Sequence, residues 1–431
     1  MCALTLGGRL HPDEIHQYLE VAHRAVWGFG TRPHEWHSGM RNTLAPGALT
    51  ALFALLRGIG VDDPRVYLSV THALVGALSL VAVACAYDLV ARVDRDRARL
   101  VALVLALWGP WQNLAFRTLG ETFSAVTLML ALRAWSAAPR DDLRVGFWLS
   151  AGFALRYPAG LFLVPFVVSY ASRRDDKGFA RWSVGATLPM IALALADWSA
   201  WGTPFHSVLA YVDFNIVRGR ASADYGSRPA WFYLACAAGF APVALLVTAA
   251  RRARWRDGAM PLAVTLTYLA VMSALAHKEP RFFLTIVPAM VVAAGLIAAP
   301  WSPRASRTII AVSALHSLVA LAVYARSNVC EGDAALAAER IGREPVVTSV
   351  ALVGVSHPGY VRLHRDVPVT GDGRNDVRRS LDALDRATRG ASRDGRFAIA
   401  RGDEARRGLA VRGWRERYRL GEVGVWEPAS P

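Results

Sequence analysis

Two short stretches hold most of the residue types able to do chemistry. In "HPDEIHQYLEVAHRAVWGFGTRPHEWHSGMRN" (11–42), Asp13 and Glu14 stand side by side after a proline, ahead of an amphipathic helix bearing Tyr18, Leu19 and Val21. A carboxylate pair can supply a general base when burial raises the pKa of one partner. Asp13 can equally cap the helix, where an acid meets the positive end of the dipole. In "LAHKEPRFFL", His277, Lys278, Glu279 and Arg281 fall within five residues between two apolar runs. Lysine and arginine there suit a phosphate or pyrophosphate, whose developing charge they would stabilise, with Glu279 holding Lys278 or Arg281 in place. Among 49 Lys and Arg, only Lys177 and Lys278 are lysines. A compact point charge kept against that bias implies that geometry matters at 278.

A third stretch, 196–233, is polar and rich in aromatics. Trp198, Trp201, Tyr225 and Trp231 fit an interfacial belt, whereas Asp213 and Asn215, set between apolar residues, are candidates to bind sugar hydroxyls. His11, His16, His23, His34 and His37 match no zinc spacing, so no metal is expected. Cys2, Cys85, Cys236 and Cys330 show no paired spacing and imply no disulfide framework.

These residues need elements to hold them. The chain has 431 residues, 54% of them hydrophobic, and several apolar runs approach the roughly 20 residues that cross a hydrocarbon core. Backbone in lipid must satisfy itself, so the runs are helices. They cover 66–91, 98–114, 119–137, 181–199, 230–250, 259–276, 281–299 and 305–325, with 144–171 entering and returning as two short helices broken at Arg156-Tyr157-Pro158. The net charge of +15 is scattered through short loops, as in loops beside anionic lipid and unlike a nucleic-acid patch. Arginine-rich loops at 91–99, 172–181, 251–256 and 302–307 are placed inside by the positive-inside rule. About ten crossings follow, with 42–60 lying along the outer surface. Residues 1–65 form an outer catalytic loop with interfacial helices, 66–325 the bundle and 326–431 an outer tail. His11, Asp13, Glu14, Arg117, Glu121, Arg156, Asp213, Asn215 and HKEPR then collect on one face, which marks a site, since ionisable groups at membrane depth are expensive.

The blocks "HPDE…Q..E", "RPHEWHSGMRN", "RTLGETFSA", "D…WG…FN…G…YG..P..FY" and "HKEPRFFLTIVP" resemble, in order, those of glycosyltransferase family 22. That family includes mannosyltransferases that extend asparagine-linked glycan precursors and GPI anchors. The resemblance implies a GT-C fold, an α-helical integral membrane protein. It implies mannose on a polyprenyl phosphate as donor, a glycan or glycolipid acceptor on the outer side, and inversion to an α-mannosidic bond. No cofactor is implied, the lipid-linked sugar being a substrate. Carried over, Asp13 is the base and Glu14 the second choice or positioning partner. His277, Lys278 and Arg281 surround the donor phosphate, Arg117 and Arg156 assist, and Glu121, with Asp213 and Asn215, contacts sugar or acceptor. Arg-Thr-Leu-Gly-Glu-Thr at 117–122 and "RYPAG" depart from the family blocks. The resemblance also implies a membrane helix ahead of HPDE, for which "MCALTLGGRL" is too short.

The tail carries strand-like stretches at 345–356, 396–400 and 418–427 and helical patterns at 376–389 and 403–412, enough for a small α/β domain. Its "SHPGYVRLH" (356–364) is similar to a Ser-Thr-Pro-x-Tyr block of that family, or is a strand–turn–strand. A GT-C enzyme for another sugar, or a transporter of lipid or glycan, is the alternative, although no internal repeat is visible. The arginine bias points to a GC-rich, bacterial genome and hence to a plasma membrane; a eukaryotic chain would sit in the endoplasmic reticulum with a lumenal site.

Overall fold

The computed structural model describes residues 11–250, 255–298, 301–327, 332–371, 376–389, 392 and 394–429. Cys2, Cys330 and part of the 251–256 loop lie outside the described residues, while Cys85 and Cys236 are buried free thiols. The apolar runs form helices. They are Pro64–Ala91, Arg95–Leu107 with Gly109–Ala115, Gly120–Trp135, Asp142–Leu155, Leu163–Arg173, Asp176–Trp201, Phe232–Phe240 with Val243–Ala250, Ala259–Ala274, Pro280–Leu284 with Val287–Ile297, and Pro303–Ser327. Among the described residues, four are by themselves long and apolar enough to cross a membrane: Pro64–Ala91, Asp176–Trp201, Pro280–Ile297 and Pro303–Val323. A fifth is added if Phe232–Phe240 and Val243–Ala250, bent by 100°, make one span. The number is below the ten crossings expected because breaks and early ends leave the other helices shorter than the core thickness requires.

The breaks have local causes. Pro110, Pro158 and Pro242 lack a backbone donor: Pro242 follows extended Ala241 (ψ 154°), while Pro110 and Pro158 sit at the second position of Gly109–Ala115 and Tyr157–Phe162, each begun after an extended residue, Trp108 (ψ 103°) and Arg156 (φ −157°). Asp142, at the start of one short helix, accepts from the Tyr170 hydroxyl near the end of the next at 2.8 Å, and Arg140 pairs with both Asp142 and Asp175. The two helices therefore leave and return to the same end, as the proline implies. Asp142–Leu155 also packs tightly on Asp176–Trp201, where Gly146 and Gly185 let backbones touch. The most enclosed span is Pro280–Ile297, 89% buried. Its first turn carries Arg281, so the centre of the bundle presents a guanidinium at one end.

Leu44–Gly58, a 15-residue apolar helix of the N-terminal segment, packs on Glu20–Trp27, where the Trp27 and Phe53 rings lie 5.8 Å apart. The tail folds into a five-stranded sheet: β1 (Ser349–Val353), β2 (Val369–Thr370), β3 (Arg396–Arg401), β4 (Trp414–Leu420) and β5 (Val423–Pro428), in the order β2-β1-β3-β5-β4. β1 runs parallel to β2 and β3, and the β3-β5-β4 edge is antiparallel. Alternate residues bury Val350, Leu352 and Ile399 against Gly332–Ile341 on one face and Ala351, Val353 and Ala398 against Val377–Thr388 and Asp403–Val411 on the other. The expected single stretch 418–427 is two strands turned at Gly421, φ +54°. "SHPGYVRLH" is not strand–turn–strand; it holds the short helix Tyr360–Leu363, docked against Glu20 and His23 of the N-terminal segment.

Candidate active site

Asp13 stands where a π-helix (Glu14–Leu19) begins before continuing as Glu20–Trp27. Its carboxylate makes no cap hydrogen bond, so capping does not occupy it. It pairs instead with Arg281, Oδ2 to Nη2 at 2.5 Å. The early carboxylate and the late cationic cluster therefore share one place. Burial pushes the Asp13 carboxyl up more than any single neighbour pulls it down, but the surrounding positive charge, Arg281 foremost, together outweighs it, so the group is held below its ordinary value. The Asp13 backbone N–H donates to His11 Nδ1 at 3.2 Å, which leaves Nε2 of a neutral His11 as the donor. Burial holds the His11 pKa down and keeps the ring neutral.

Arg281 is the hub. Its Nε donates to Glu279 Oε2 at 2.7 Å and its Nη2 to Glu279 Oε1 at 3.0 Å. Glu279 Oε1 also meets His277 Nε2 at 3.1 Å. Behind it, fully buried Glu121 lies 2.9 Å from Arg156 Nη2 and 3.3 Å from Arg281 Nε, at ion-pair distance but outside hydrogen-bond angles. The Arg156 and Arg281 guanidiniums lie 4.9 and 5.1 Å from the Phe282 ring centroid, a cation–π arrangement that fixes both. Lys278 is not held by Glu279. Its Nζ donates to the carbonyls of Arg228, at 2.9 Å, and Leu275, a buried cation with no carboxylate partner among the described residues. Burial lowers its pKa.

Two chambers meet at this cluster. The smaller, about 100 Å³, has a polar wall that includes Asp13, Glu35, Arg41, Arg156, Asn215 and Arg281. The larger, about 910 Å³, runs along Phe232, Ala235, Cys236, Phe240, Val319 and Val323 and has His11, Arg228 and Lys278 in its polar part. Asp13, Tyr225, His277 and Glu279 line both.

Several expected site residues fall elsewhere. Glu14 is fully buried and bonded on both oxygens: to His72 Nε2 at 2.9 Å, the Thr118 N–H at 3.0 Å and Arg117 Nη1 at 3.1 Å. It faces neither chamber and ties the N-terminal segment to the bundle. Arg117 pairs with Glu14 and donates to the Asn113 carbonyl at 3.1 Å, and it lines neither chamber. Asp213 is half-exposed and paired with Arg218 at 2.7 Å, outside both chambers. Glu121 touches the site only through Arg156 and Arg281. Asn215 does line the small chamber, its amide donating to the Tyr211 carbonyl at 2.8 Å. Among the described residues no group of three or more His, Cys, Asp or Glu is placed to hold a metal. Sequence reasoning left out Glu35, Arg41, Tyr225 and Arg228. The signal for the first two was the block "RPHEWHSGMRN", which held them without a role.

The fold is that of ArnT from Cupriavidus metallidurans. The apo crystal structure aligns over 100% of this chain and 97% of that one, at TM-score 0.59 and 12% identity. The structure bound to undecaprenyl phosphate aligns over 99% and 96%, at TM-score 0.64 and 13% identity. This is the GT-C fold of an integral membrane protein. The profile of the Alg9-like mannosyltransferase family matches residues 1–339, and the chain belongs to that family; it is a mannosyltransferase, not a transporter. GPI mannosyltransferase 3 of Yarrowia lipolytica is 26% identical over 386 residues, covering 85% of this chain and 73% of its own length. GPI alpha-1,2-mannosyltransferase 3 of Xenopus laevis is 26% identical over 299 residues, covering 66% and 55%. These relatives are eukaryotic and lend no support to a bacterial origin.

Proposed function

We propose that this chain is an inverting mannosyltransferase that moves mannose from a polyprenyl phosphate to a glycolipid acceptor on the outer or lumenal membrane face, forming an α-mannosidic bond. The observation that carries it is the place of Asp13 on the wall shared by a small polar chamber and a large apolar one. Inversion needs the two substrates on opposite sides of the anomeric carbon with the base beside the attacking oxygen. The large chamber suits an isoprenoid chain, and Lys278, His277, His11 Nε2 and Arg228 at its polar part suit the phosphate. The undecaprenyl phosphate bound by the ArnT neighbour supports that assignment.

Asp13 Oδ1 accepts the proton of the acceptor hydroxyl as its oxygen bonds to C1 of mannose. The C1–O bond to phosphate breaks, and polyprenyl phosphate leaves with the electron pair. Asp13 is a weak base because Arg281 stabilises its charge. It suffices because the hydroxyl becomes acidic only as the new bond forms. Lys278 and the His277 imidazolium offset charge on the departing phosphate. The names of the relatives support a GPI-type acceptor and an α-1,2 linkage.

Membranes carrying the full chain should transfer radiolabelled mannose from polyprenyl-phosphate-mannose to endogenous glycolipid. Asp13→Asn should cut transfer by about 10²–10⁴-fold at unchanged protein level. Normal transfer by Asp13→Asn would remove the base from the mechanism.

A further inference from the structure

We infer that the small chamber is a subsite for one uncharged terminal hexose of the acceptor, with Glu35 and Arg41 reading its hydroxyls; this rests on the two-chamber reading above. Size is the first ground. The chamber encloses about 100 Å³; at roughly 10–15 Å³ per water it takes roughly seven to ten waters, the size of one monosaccharide. The remainder of the acceptor stays outside.

Charge is the second. Three carboxylates (Asp13, Glu35, Glu279), three guanidiniums (Arg41, Arg156, Arg281) and the His277 imidazolium, itself paired with Glu279, line the wall, and buried Glu121 stands behind it as a fourth carboxylate. Each is already in an ion pair: Arg41 with Glu35 at 2.7 Å, Arg281 with Asp13 and Glu279, and Arg156 with Glu121. Paired charges leave little net field for an ionic ligand yet keep many donors and acceptors for a polyhydroxyl one. The large chamber differs, because among the described residues its Lys278 cation is met only by carbonyls.

Free hydrogen-bonding capacity is the third. Arg41 uses Nε on Glu35 Oε2. No other side-chain hydrogen bond of either residue is present among the described residues, so Glu35 Oε1 and the Arg41 Nη groups remain for a ligand. Both side chains are about one-fifth exposed, open enough to be reached. A carboxylate oxygen accepts from a sugar hydroxyl while a guanidinium donates to its neighbour, so the pair can grip two adjacent hydroxyls. Asn215, its amide spent on Tyr211, offers its carbonyl oxygen in the same wall. Apolar Met40, Phe214 and Phe282 complete the lining and suit the C–H face of a pyranose.

The test uses membranes carrying the full chain, polyprenyl-phosphate-mannose as donor, and octyl α-mannoside with its monodeoxy analogues as acceptors. The wild-type protein should lose about tenfold in kcat/KM when the hydroxyl read by Glu35 is removed. Glu35→Gln should raise the octyl mannoside KM by about tenfold, leave the donor KM within about twofold and erase discrimination at that hydroxyl alone. Arg41→Lys should do the same at an adjacent hydroxyl, and it serves if Glu35→Gln does not accumulate. Wild-type transfer with deoxy discrimination unchanged in both variants would overturn the hexose subsite while leaving the two-chamber reading intact. A wild-type protein that neither transfers mannose to any acceptor nor hydrolyses the donor would overturn that reading itself.

Discussion

His277 meets an acceptor from each ring nitrogen, the Gly226 carbonyl from Nδ1 at 3.0 Å and Glu279 Oε1 from Nε2 at 3.1 Å. A neutral imidazole donates from one nitrogen only, so both contacts are satisfied only in the imidazolium. The hydrogen bond to Glu279 accordingly raises the pKa, against the opposing effect of burial. A raised folded-state value means that the stabilisation is fully present below the ordinary ~6.5 and is lost as pH rises through the folded value. The pH profile of kcat/KM for the donor should show an alkaline limb with its midpoint above ~6.5, and His277→Arg should abolish that limb. A limb that persists in His277→Arg belongs to another group. At this scale the sequence located the partners but not their depth. Asp13 and Glu14 are neighbours in a helical turn, so their side chains leave in different directions, one to the chambers and one into the core. Nothing in the dipeptide says which, and that depends on Arg117, His72 and Thr118, supplied from far along the chain. Arg117 was placed at the right end of the bundle for the same reason that its pairing with Glu14 was missed.

The elements that hold Asp13 are braced from the tail domain. Glu20 Oε2 accepts from the Val361 N–H at 3.0 Å, Tyr67 donates its hydroxyl to the Val361 carbonyl, and His23 Nε2 lies 3.0 Å from His364 Nδ1. Gly359, at φ +81°, brings this segment so close that a Cβ would meet Ile15 Cγ2 at 2.7 Å and Glu20 Oε2 at 3.0 Å. Ile15 follows Asp13 by two residues, so a shift here is felt at the carboxylate. Gly359→Ala adds left-handed backbone strain of about 1–3 kcal/mol to that contact. It should lower kcat more than either KM and lower the thermal midpoint in detergent. Gly402→Ala is the control: φ +86° but nothing within 4 Å, so it should share the instability without the kcat loss. The break at Arg156-Tyr157-Pro158 was legible because Pro disrupts helix locally, whereas the breaks at Pro110 and Pro242 fell inside 98–114 and 230–250, read as unbroken. The bracing was not legible, since "SHPGYVRLH" makes these contacts with residues 294 to 341 positions earlier. The split of 418–427 hid in a single glycine.

At the scale of the whole molecule, the site lies at one end of the bundle and the Asp142–Tyr170–Arg140–Asp175 network marks the other. The large chamber links the site to the flank of Pro303–Ser327, where Val319 and Val323 are more than half exposed beside Phe232 and Phe240. A lipid-linked donor has to reach the cluster without drawing its chain through water, and a groove open along the side of an apolar helix permits that. Val319→Trp narrows this groove. At so exposed a position it should change stability by no more than about 0.5 kcal/mol, because it displaces no packed neighbour. The KM for long-chain polyprenyl-phosphate-mannose should rise by roughly tenfold, since several buried methylenes at ~0.8 kcal/mol each lose their place. The KM for a donor with a two-isoprene chain should change little, as should that for octyl α-mannoside. Equal effects on the long and short donors would mean that the chain lies elsewhere and that the apolar chamber serves another part of the reaction.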